Sequence, residues 1–279
     1  MNVIRQPTPE SFLNSAQSWL MRTEIENNVM LGVARDIAQQ TLIPKERPYF
    51  ATAVDHGEVV ACALRTPPHK LLISRADADA VRAIARDAFA LYPKLPGVNG
   101  PEPTVGAFAR AWADLAGNAI RVGMQQRIYV IHSFEERQPR VAGVLRRAAE
   151  SDLDSAARWV AAFLREANPS EESDPSEVAR RYFRYGGLFV WDDGEPVSMT
   201  AFGGKTPNGV RVSLVYTPPA MRRRGYATAA VGALTRLLLD EGNRYCCLYT
   251  NLANPTSNRI YQKIGYQPLC DVNEYVLAG

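Results

Sequence analysis

The chain has 279 residues, of which 46% are hydrophobic and 22% are charged, with 19 glycines and 19 prolines. This composition is typical of a folded globular protein and excludes collagen-like, disordered and low-complexity chains. The formal net charge of +3 is too small, and the lysines and arginines are too evenly spread, to indicate nucleic-acid binding. The length suits two modest domains, each able to bury its own core.

The cysteines and histidines predict neither a zinc site nor a disulfide framework. The chain has four cysteines without a C-x-x-C pair and only three histidines. The N-terminal residues are too polar for a signal peptide, and no later run approaches the roughly 18 apolar residues of a membrane span. We therefore expect no metal, no membrane partner and a cytoplasmic protein.

Hydrophobic periodicity in the first half predicts helices on either side of a hairpin. The turn residues Asp55-His56-Gly57 separate two strand-like runs. In chain order, the predicted elements are helical patterning over residues 8–40, a hairpin from residues 49–54 and 59–64, a helix over 75–92, a turn-rich stretch over 93–103, a helix over about 105–115, and a strand over 127–132.

Residues 135–140, with the sequence Glu-Glu-Arg-Gln-Pro-Arg, have the composition of a linker. They combine a proline and mixed charge with no apolar period. We place the domain boundary near Pro139, which divides the chain into residues 1–138 and 139–279.

The second half repeats the pattern of the first more clearly. Its hairpin turns at Asp192-Asp193-Gly194, and both halves are predicted to be mixed α/β units, consistent with an old duplication but not with a solenoid. The predicted elements are a strand at 144–146, a helix at 151–166, a loop at 168–170, a helix at 175–185, hairpin strands at 188–191 and 196–201, a strand at 209–216, a helix at 225–241, a strand at 245–249, a helix at 255–264 and a strand at 274–277.

A basic turn that contains Gly225 lies between an apolar strand and a strongly periodic helix. The first N–H groups of a helix lack internal partners, and the helix dipole favours negative charge there. Gly225 permits close approach of a ligand, Ala227 leaves the helix start uncrowded, and Arg222 with its two arginine neighbours adds positive charge. The turn therefore predicts a phosphate site, although a plain helix start with solvated arginines fits the same residues.

The pattern Arg222-x-x-Gly225-x-Ala227 resembles the pyrophosphate loop of the GNAT acetyltransferase superfamily. Residues 254–266, which begin Asn254-Pro255, resemble the last helix of that family, where asparagine and tyrosine face the cofactor. The two motifs occur in the family's order, and the resemblance covers residues 141–277. It implies an α/β fold of two GNAT-like domains in tandem, each with a mostly antiparallel central sheet flanked by helices. The C-terminal domain would be catalytic and the N-terminal domain degenerate.

The resemblance further implies acetyl-CoA as the cofactor, held at a splayed strand pair formed by residues 212–217 and 245–249. Tyr261 would protonate the departing thiolate, although a half-buried aromatic residue in an ordinary capped helix also fits that position. The implied cofactor-binding residues are Val215 and Thr217 for the pantetheine arm, Arg222, Arg223, Arg224, Gly225, Tyr226, Ala227 and Thr228 for the pyrophosphate, and Asn254, Ser257, Asn258 and Tyr261 on the last helix.

The sequence departs from the family at the general base. Many members have a glutamate on the strand before the loop, whereas residues 211–216 of this chain include no carboxylate. An amine with a pKa near 10 must lose a proton before it attacks a thioester, so a base or a water chain is needed. Asp192 and Asp193 fit simple turn positions, and the base stays unassigned.

These observations predict acetyl transfer from acetyl-CoA to a primary amine by direct attack in a ternary complex. Relay through an acetylated Cys246 or Cys247 is one alternative, and a non-catalytic acyl-CoA sensor or interaction protein is another. The three consecutive arginines leave tRNA acetylation as a further alternative. The acceptor, whether a small molecule or a peptide amine, and the oligomeric state are not predicted. Gly204-Lys205-Thr206 resembles the end of a P-loop, but Met199 stands where that motif needs glycine.

Overall fold

A computed structural model of the chain describes residues 1–134, 141–167 and 173–277. The strands are β1 (Asn2–Arg5), β2 (Tyr49–Asp55), β3 (Glu58–Arg65), β4 (Leu71–Ile73), β5 (Gly97–Pro101), β6 (Ile120–Ile131), β7 (Val144–Arg147), β8 (Leu188–Asp192), β9 (Pro196–Gly203), β10 (Gly209–Tyr216), β11 (Tyr245–Asn251) and β12 (Gln267–Leu277). The helices are α1 (Pro9–Leu20), α2 (Asn28–Ala38), α3 (Ala78–Leu91), α4 (Thr104–Ala116), α5 (Leu153–Ala167), α6 (Pro175–Arg184), α7 (Tyr226–Asp240) and α8 (Pro255–Ile264).

The chain divides into two compact units. Unit 1 comprises Met1–Ile128 and the described residues from Cys270 onward, and unit 2 comprises Tyr129–Leu269. The predicted linker at 135–140, with its boundary at Pro139, lies outside the described residues, as does the predicted loop at 168–170. The described residues from Cys270 onward belong to unit 1, where β12 pairs antiparallel with β5 from Val272 opposite Pro101 to Val276 opposite Gly97.

In unit 1 the strand order is β1-β2-β3-β4-β5-β12, antiparallel throughout except for the parallel pair β4 and β5. Successive side chains of a strand point to opposite faces of the sheet. Tyr49 and Ala51 of β2 accordingly pack in the core under α3 and α4, whereas Phe50 packs with Phe12 and Leu20 of α1. Both faces of this sheet are therefore covered by helices.

Unit 2 repeats this plan. The strands β7, β8, β9 and β10 are antiparallel neighbours in that order, and β11 pairs parallel with β10. Helices α5 and α6 cover one face and α7 and α8 cover the other, where Tyr129 and Ile131 at the end of β6 share the core. The predicted fold class, two mixed α/β units with mostly antiparallel sheets flanked by helices, is confirmed.

The turn-rich stretch predicted at 93–103 is wrong, because it contains strand β5. A Cβ on Gly97 would lie 2.5 Å from the carbonyl oxygen of Tyr275, and one on Gly100 would lie 2.5 Å from that of Ile73. These glycines therefore let neighbouring strands approach closely and do not form turns.

Other differences concern the ends of elements. The helical patterning at 8–40 is two helices, α1 and α2, and the strands β1 and β4 are additions to the predicted set. Strands β6 and β12 are much longer than predicted. Within the described residues, no helix is both long enough and apolar enough to cross a membrane.

Candidate cofactor site

The parallel strands β10 and β11 separate partway along their length. Their pairing runs from Gly209 opposite Tyr245 to Arg211 opposite Cys247, and no pair beyond these joins the described parts of the two strands. Both strands nevertheless continue, β10 to Tyr216 and β11 to Asn251. Backbone N–H and C=O groups that face the gap are thus left without ladder partners, which a ligand can satisfy. The predicted splayed pair is present.

A β-bulge lies where the strands separate. The pairing of β10 with β9 shifts between Ser213 and Tyr216, and Leu214 adopts a left-handed φ of 50°. A bulge reverses which side chains face which side of a sheet. Val212 accordingly packs under α7 and α8, whereas Leu214 and Tyr216 pack under α5 and α6.

The N-terminus of α7 is open to an anion. Gly225 is its N-cap residue with φ 88° and makes no side-chain capping hydrogen bond, and Arg223 also has a left-handed φ of 63°. Glycine is the residue that takes such a φ without strain, and a Cβ there would lie 3.0 Å from Cγ2 of Val141. The first N–H groups of α7 are consequently available to a phosphate.

Two side chains of the predicted phosphate turn, Arg222 and Tyr226, contact other parts of the protein and hold the turn in place. The Arg222 guanidinium donates to the Thr217 carbonyl at 2.8 Å and to both carboxylate oxygens of Glu166 at 2.8 and 2.9 Å. The Tyr226 hydroxyl donates to Asp193 Oδ2 at 2.6 Å. These contacts hold the start of α7 to the end of β10 and to the β8–β9 turn.

The remaining residues of the turn lie around the open helix end. Arg223 and Arg224 are exposed, and Ala227 and Thr228 in the first turn of α7 are half-buried. Val215 is half-buried on the splayed part of β10. The Thr217 side chain lies 2.8 Å from Ser198 Oγ, and its carbonyl accepts from Arg222.

Helix α8 uses some of its predicted cofactor-binding side chains for its own cap. Asn254 Oδ1 accepts from the Ser257 N–H at 3.1 Å. Asn258 Nδ2 donates to the carbonyls of Asn251 and Asn254 at 3.1 and 2.7 Å, which leaves its buried Oδ1 without a partner among the described residues. A buried acceptor in that state suits a donor from a bound ligand, such as an amide N–H.

Tyr261 lies in the core between α8 and the splayed strands. It is 8% exposed, packs in one cluster with Val212 and Leu248, and meets Tyr266 edge to face at 6.2 Å. Burial raises the pKa of its phenol to about 12, so the hydroxyl keeps its proton at neutral pH. That hydroxyl hydrogen-bonds to none of the described residues.

A polar cluster on the opposite face of β10 was not singled out by sequence reasoning. Ser213 Oγ donates to the Tyr182 hydroxyl of α6 at 3.0 Å, and Arg211 lies beside the same phenol. The alternation of Arg211 and Ser213 with Val210 and Val212 is visible in the sequence, but their partner on α6 is not. Across the described part of the chain, no group of three His, Cys, Asp or Glu side chains could hold a metal ion.

A cavity of about 280 Å³ lies between the start of α7 and α8. It is lined by Thr228, Pro255, Thr256, Arg259, Ile260 and Lys263. Its two basic side chains and its position next to the open helix end make it suitable for an anionic part of a ligand.

The chain resembles known proteins in one stretch of sequence and in its fold. The family model described as FR47-like protein matches residues 193–276, from the β8–β9 turn into the last strand, β12. A Drosophila protein of solved structure superposes with a TM-score of 0.69 at 13% identity, covering 99% of this chain and 98% of that one. No curated protein matches this chain.

Two further solved structures carry descriptive names. A GCN5-related N-acetyltransferase from Sphaerobacter thermophilus superposes with a TM-score of 0.59 at 16% identity, covering 98% of this chain and 94% of that one. A tandem GNAT protein from the clavulanic acid biosynthesis pathway superposes with a TM-score of 0.58 at 11% identity, covering 100% of this chain and 98% of that one. At these identities the likeness shows the fold.

Proposed function

We propose that this chain, which has the tandem fold of the GNAT acetyltransferase superfamily, is an acyl-CoA-dependent acyltransferase that moves an acetyl group from acetyl-CoA to a primary amine. The observation that carries the proposal is the splayed pair β10 and β11 beside the uncapped N-terminus of α7. A strand gap can pair with an extended amide chain, and a helix end can bind phosphate. Coenzyme A combines both chemistries in one molecule.

The residues present fit this cofactor. The N–H groups that follow Gly225 would bind the pyrophosphate, with Arg223 and Arg224 adding charge. The backbone of Val215 and the N–H of Thr217 would pair with the pantetheine amides, and Asn258 Oδ1 would accept from one of them. Asn254 and Ser257 would shape this end of the site through the α8 cap.

The transfer itself would proceed by direct attack of the amine on the thioester carbonyl. Backbone N–H groups in the gap would polarise that carbonyl, and the fixed geometry would supply much of the rate. The raised pKa of Tyr261 makes full proton transfer to a thiolate of ordinary pKa near 8.5 unfavourable. A hydrogen bond from the Tyr261 hydroxyl to the departing sulfur is therefore the role its environment favours.

Relay through an acetylated cysteine is disfavoured by the surroundings of the two strand cysteines. Cys246 and Cys247 are fully buried in β11, and burial raises the pKa of Cys246 to about 12. A thiol must ionise to act as a nucleophile, so burial disfavours Cys246 as a nucleophile at neutral pH.

A non-catalytic acyl-CoA-binding protein is the second candidate. It is favoured by the lack of a carboxylate on β10, where Arg211, Ser213 and Val215 occupy the half-buried positions. Cofactor binding without turnover of any amine would support this alternative over acetyl transfer.

The first experiment is a thermal-shift titration of the wild type and of Gly225→Glu with acetyl-CoA. At about 100 times its dissociation constant, a ligand that binds only the folded state adds roughly 2.7 kcal/mol to the free energy of unfolding. We expect the wild type to be stabilised and Gly225→Glu not to be, because the glutamate places bulk and negative charge in the phosphate turn.

Gly242→Glu is the matched control. Gly242 also has a left-handed φ, 95°, and nothing lies within 4 Å of its Cβ position, so it carries a similar backbone penalty away from the turn. The control should keep the acetyl-CoA shift. Equal shifts in all three proteins, or none in the wild type, would contradict the proposed site.

A further inference from the structure

The phenol of Tyr182 lies on a polar patch beside the point where β10 leaves β11. Ser213 Oγ donates to it at 3.0 Å, and Ser213 directly precedes the bulge at Leu214. Arg211, the last residue of β10 that pairs with β11, also hydrogen-bonds this phenol. Tyr182, Arg211 and Ser213 are all half-buried, so the patch is in part accessible from solvent.

The charges around Tyr182 favour its ionised form. Burial raises the pKa of the phenol, but the positive charges of Arg211 and Arg181 and the hydrogen bonds from Ser213 and Arg211 outweigh it, and the pKa falls below its ordinary value. Arg181 lies on the same helix, with its guanidinium 5.3 Å from the Tyr182 ring centroid.

Arg211 interacts with further titratable groups at this patch. Burial lowers the pKa of Arg211, and the neighbouring Tyr182, Tyr249 and Cys247 raise it, so that the guanidinium stays charged. Apart from burial, the largest effects on the pKa values of Tyr182 and Arg211 come from arginine, tyrosine, serine and cysteine side chains. The patch therefore combines the cations Arg211 and Arg181 with the weakly acidic side chains of Tyr182, Tyr249 and Cys247.

Tyr182 and Tyr261 occupy opposite faces of the splayed strands. Tyr182 packs with α5 and α6 over Leu214 and Tyr216, whereas Tyr261 packs with α7 and α8 over Val212. In active sites, two titratable groups whose environments shift their pKa values in opposite directions commonly serve as the general acid and the general base. A thioester placed in the strand gap would lie between the two faces that carry these phenols.

From this arrangement we infer that Tyr182 is the proton acceptor for the attacking amine, held in place by Ser213 and Arg211. This inference rests on the proposed acetyl transfer. It assigns to Tyr182 the role of general base, for which β10 offers no carboxylate. Gly203 of β9 gives the ring room, because a Cβ there would lie 3.0 Å from Tyr182 Cε1.

The step balances as follows in atoms and charge. A protonated alkylamine gives one proton to the Tyr182 phenolate and becomes nucleophilic, and its nitrogen forms a bond to the acetyl carbon. The carbon–sulfur bond then breaks, the departing sulfur accepts a hydrogen bond from the Tyr261 hydroxyl, and the sulfur takes up the second proton of the nitrogen. The products are a neutral amide and a CoA thiol, and the Tyr182 phenol returns its proton to solvent.

The ionisation is tested by near-ultraviolet phenolate titration of the folded protein. The chain has 12 tyrosines, so the difference between the wild type and Tyr182→Phe isolates one phenol. We expect the wild type to lose a phenolic proton below pH ~10 that Tyr182→Phe lacks, and Arg211→Gln to move that titration upward. Tyr185→Phe, which removes a hydroxyl three residues along the chain, should leave it unchanged.

The catalytic role is tested by the rate. With acetyl-CoA and a panel of spermidine, amino acids, an aminoglycoside and a peptide, Tyr182→Phe should lower kcat roughly 100-fold or more on the best acceptor. Its rate should keep rising with pH toward the pKa of the amine, whereas that of the wild type levels off earlier. Calorimetric binding of acetyl-CoA should be the same in both proteins.

Two results would overturn the inference: titration curves of wild type and Tyr182→Phe that superimpose below pH ~10, or an unchanged kcat in Tyr182→Phe. A wild type that does not bind acetyl-CoA would instead remove the proposed function, and this inference with it. The binding measurement thus separates failure of the base from failure of the cofactor site.

Discussion

At the residue scale, Tyr261 and Tyr266, which pack together in the core around α8, differ in the hydrogen bonding of their hydroxyl groups. The Tyr266 hydroxyl lies 2.8 Å from Thr235 Oγ1 in a fully buried pair. Tyr261 packs against Tyr266, but its hydroxyl takes no part in the hydrogen bonding of the described residues. A buried hydroxyl with a partner contributes to folding, whereas one without a partner is available for chemistry.

We predict that Tyr261→Phe lowers kcat for acetyl transfer about tenfold or more without loss of stability. The physical reason is the loss of a hydrogen bond of ~1.4 kcal/mol that forms to the sulfur as it leaves. Steady-state kinetics and urea unfolding measure the two effects.

Tyr266→Phe is the matched control for this prediction. It should lower the free energy of unfolding by about 1 kcal/mol, because Thr235 loses its partner, and leave kcat nearly unchanged. If Tyr261→Phe keeps the wild-type kcat, the role of its hydroxyl in the reaction is excluded.

At the scale of elements, an ion-paired cap joins β7, the start of α5 and the end of β8. Arg146 of β7 donates to Asp152 Oδ2 at 2.6 Å and to Asp192 Oδ2 at 2.7 Å. Asp152 in turn accepts from the Ala149 N–H at 2.7 Å, just before α5 begins. The hydrogen bond from Arg146 and that from Ala149 lower the pKa of Asp152 against the effect of burial.

We predict that Asp152→Asn lowers the free energy of unfolding at neutral pH by about 1 kcal/mol, the usual value of a helix cap. A carboxyl whose pKa is depressed in the folded state stabilises the protein above the unfolded pKa of about 4 and loses that effect as pH falls through the folded pKa. The difference between wild type and variant should therefore shrink at acid pH.

Urea unfolding at neutral and acid pH checks this prediction. Asp154→Asn is the control, because Asp154 is an exposed residue in the first turn of the same helix. Its difference from the wild type should be small at both pH values. A constant difference for Asp152→Asn across the pH range would contradict the assigned cause.

At the scale of the whole molecule, the two units share an order of strands and helices but differ at one pair of corresponding helices. These helices are α3, which follows β4 in unit 1, and α7, which follows β10 in unit 2. In unit 2, α7 begins at an uncapped Gly225. In unit 1, α3 begins at Asp77, whose Oδ1 accepts from the Ala80 N–H at 2.8 Å. A carboxylate at that position occupies the helix end and repels phosphate.

We therefore predict that one acetyl-CoA binds per chain, at unit 2. Isothermal titration calorimetry should give a stoichiometry near one for the wild type and no binding for Gly225→Glu. A second equivalent of acetyl-CoA, or binding that survives in Gly225→Glu, would show that unit 1 carries a site of its own.

The sequence by itself determined the features that depend on neighbouring residues. The basic turn at Gly225 and the cap of α8 at Asn254 are contiguous stretches whose conformations follow from local hydrogen bonding and backbone preference. Whether a segment is a helix or a strand was likewise predicted from its hydrophobic periodicity, because an element with one buried face has apolar residues at the spacing of that element.

Only the tertiary structure decided what depends on distant partners. Gly97 and Gly100 belong to a strand because other strands pack against their backbone, and β12 completes unit 1 because its partner is β5. The bulge at Leu214 changes which side chains of β10 point to each face of the sheet. Tyr182 hydrogen-bonds to Ser213, which lies 31 residues further along the chain. Packing brings such groups together at separations that no local propensity encodes, which is why the candidate base could be named only once the fold was known.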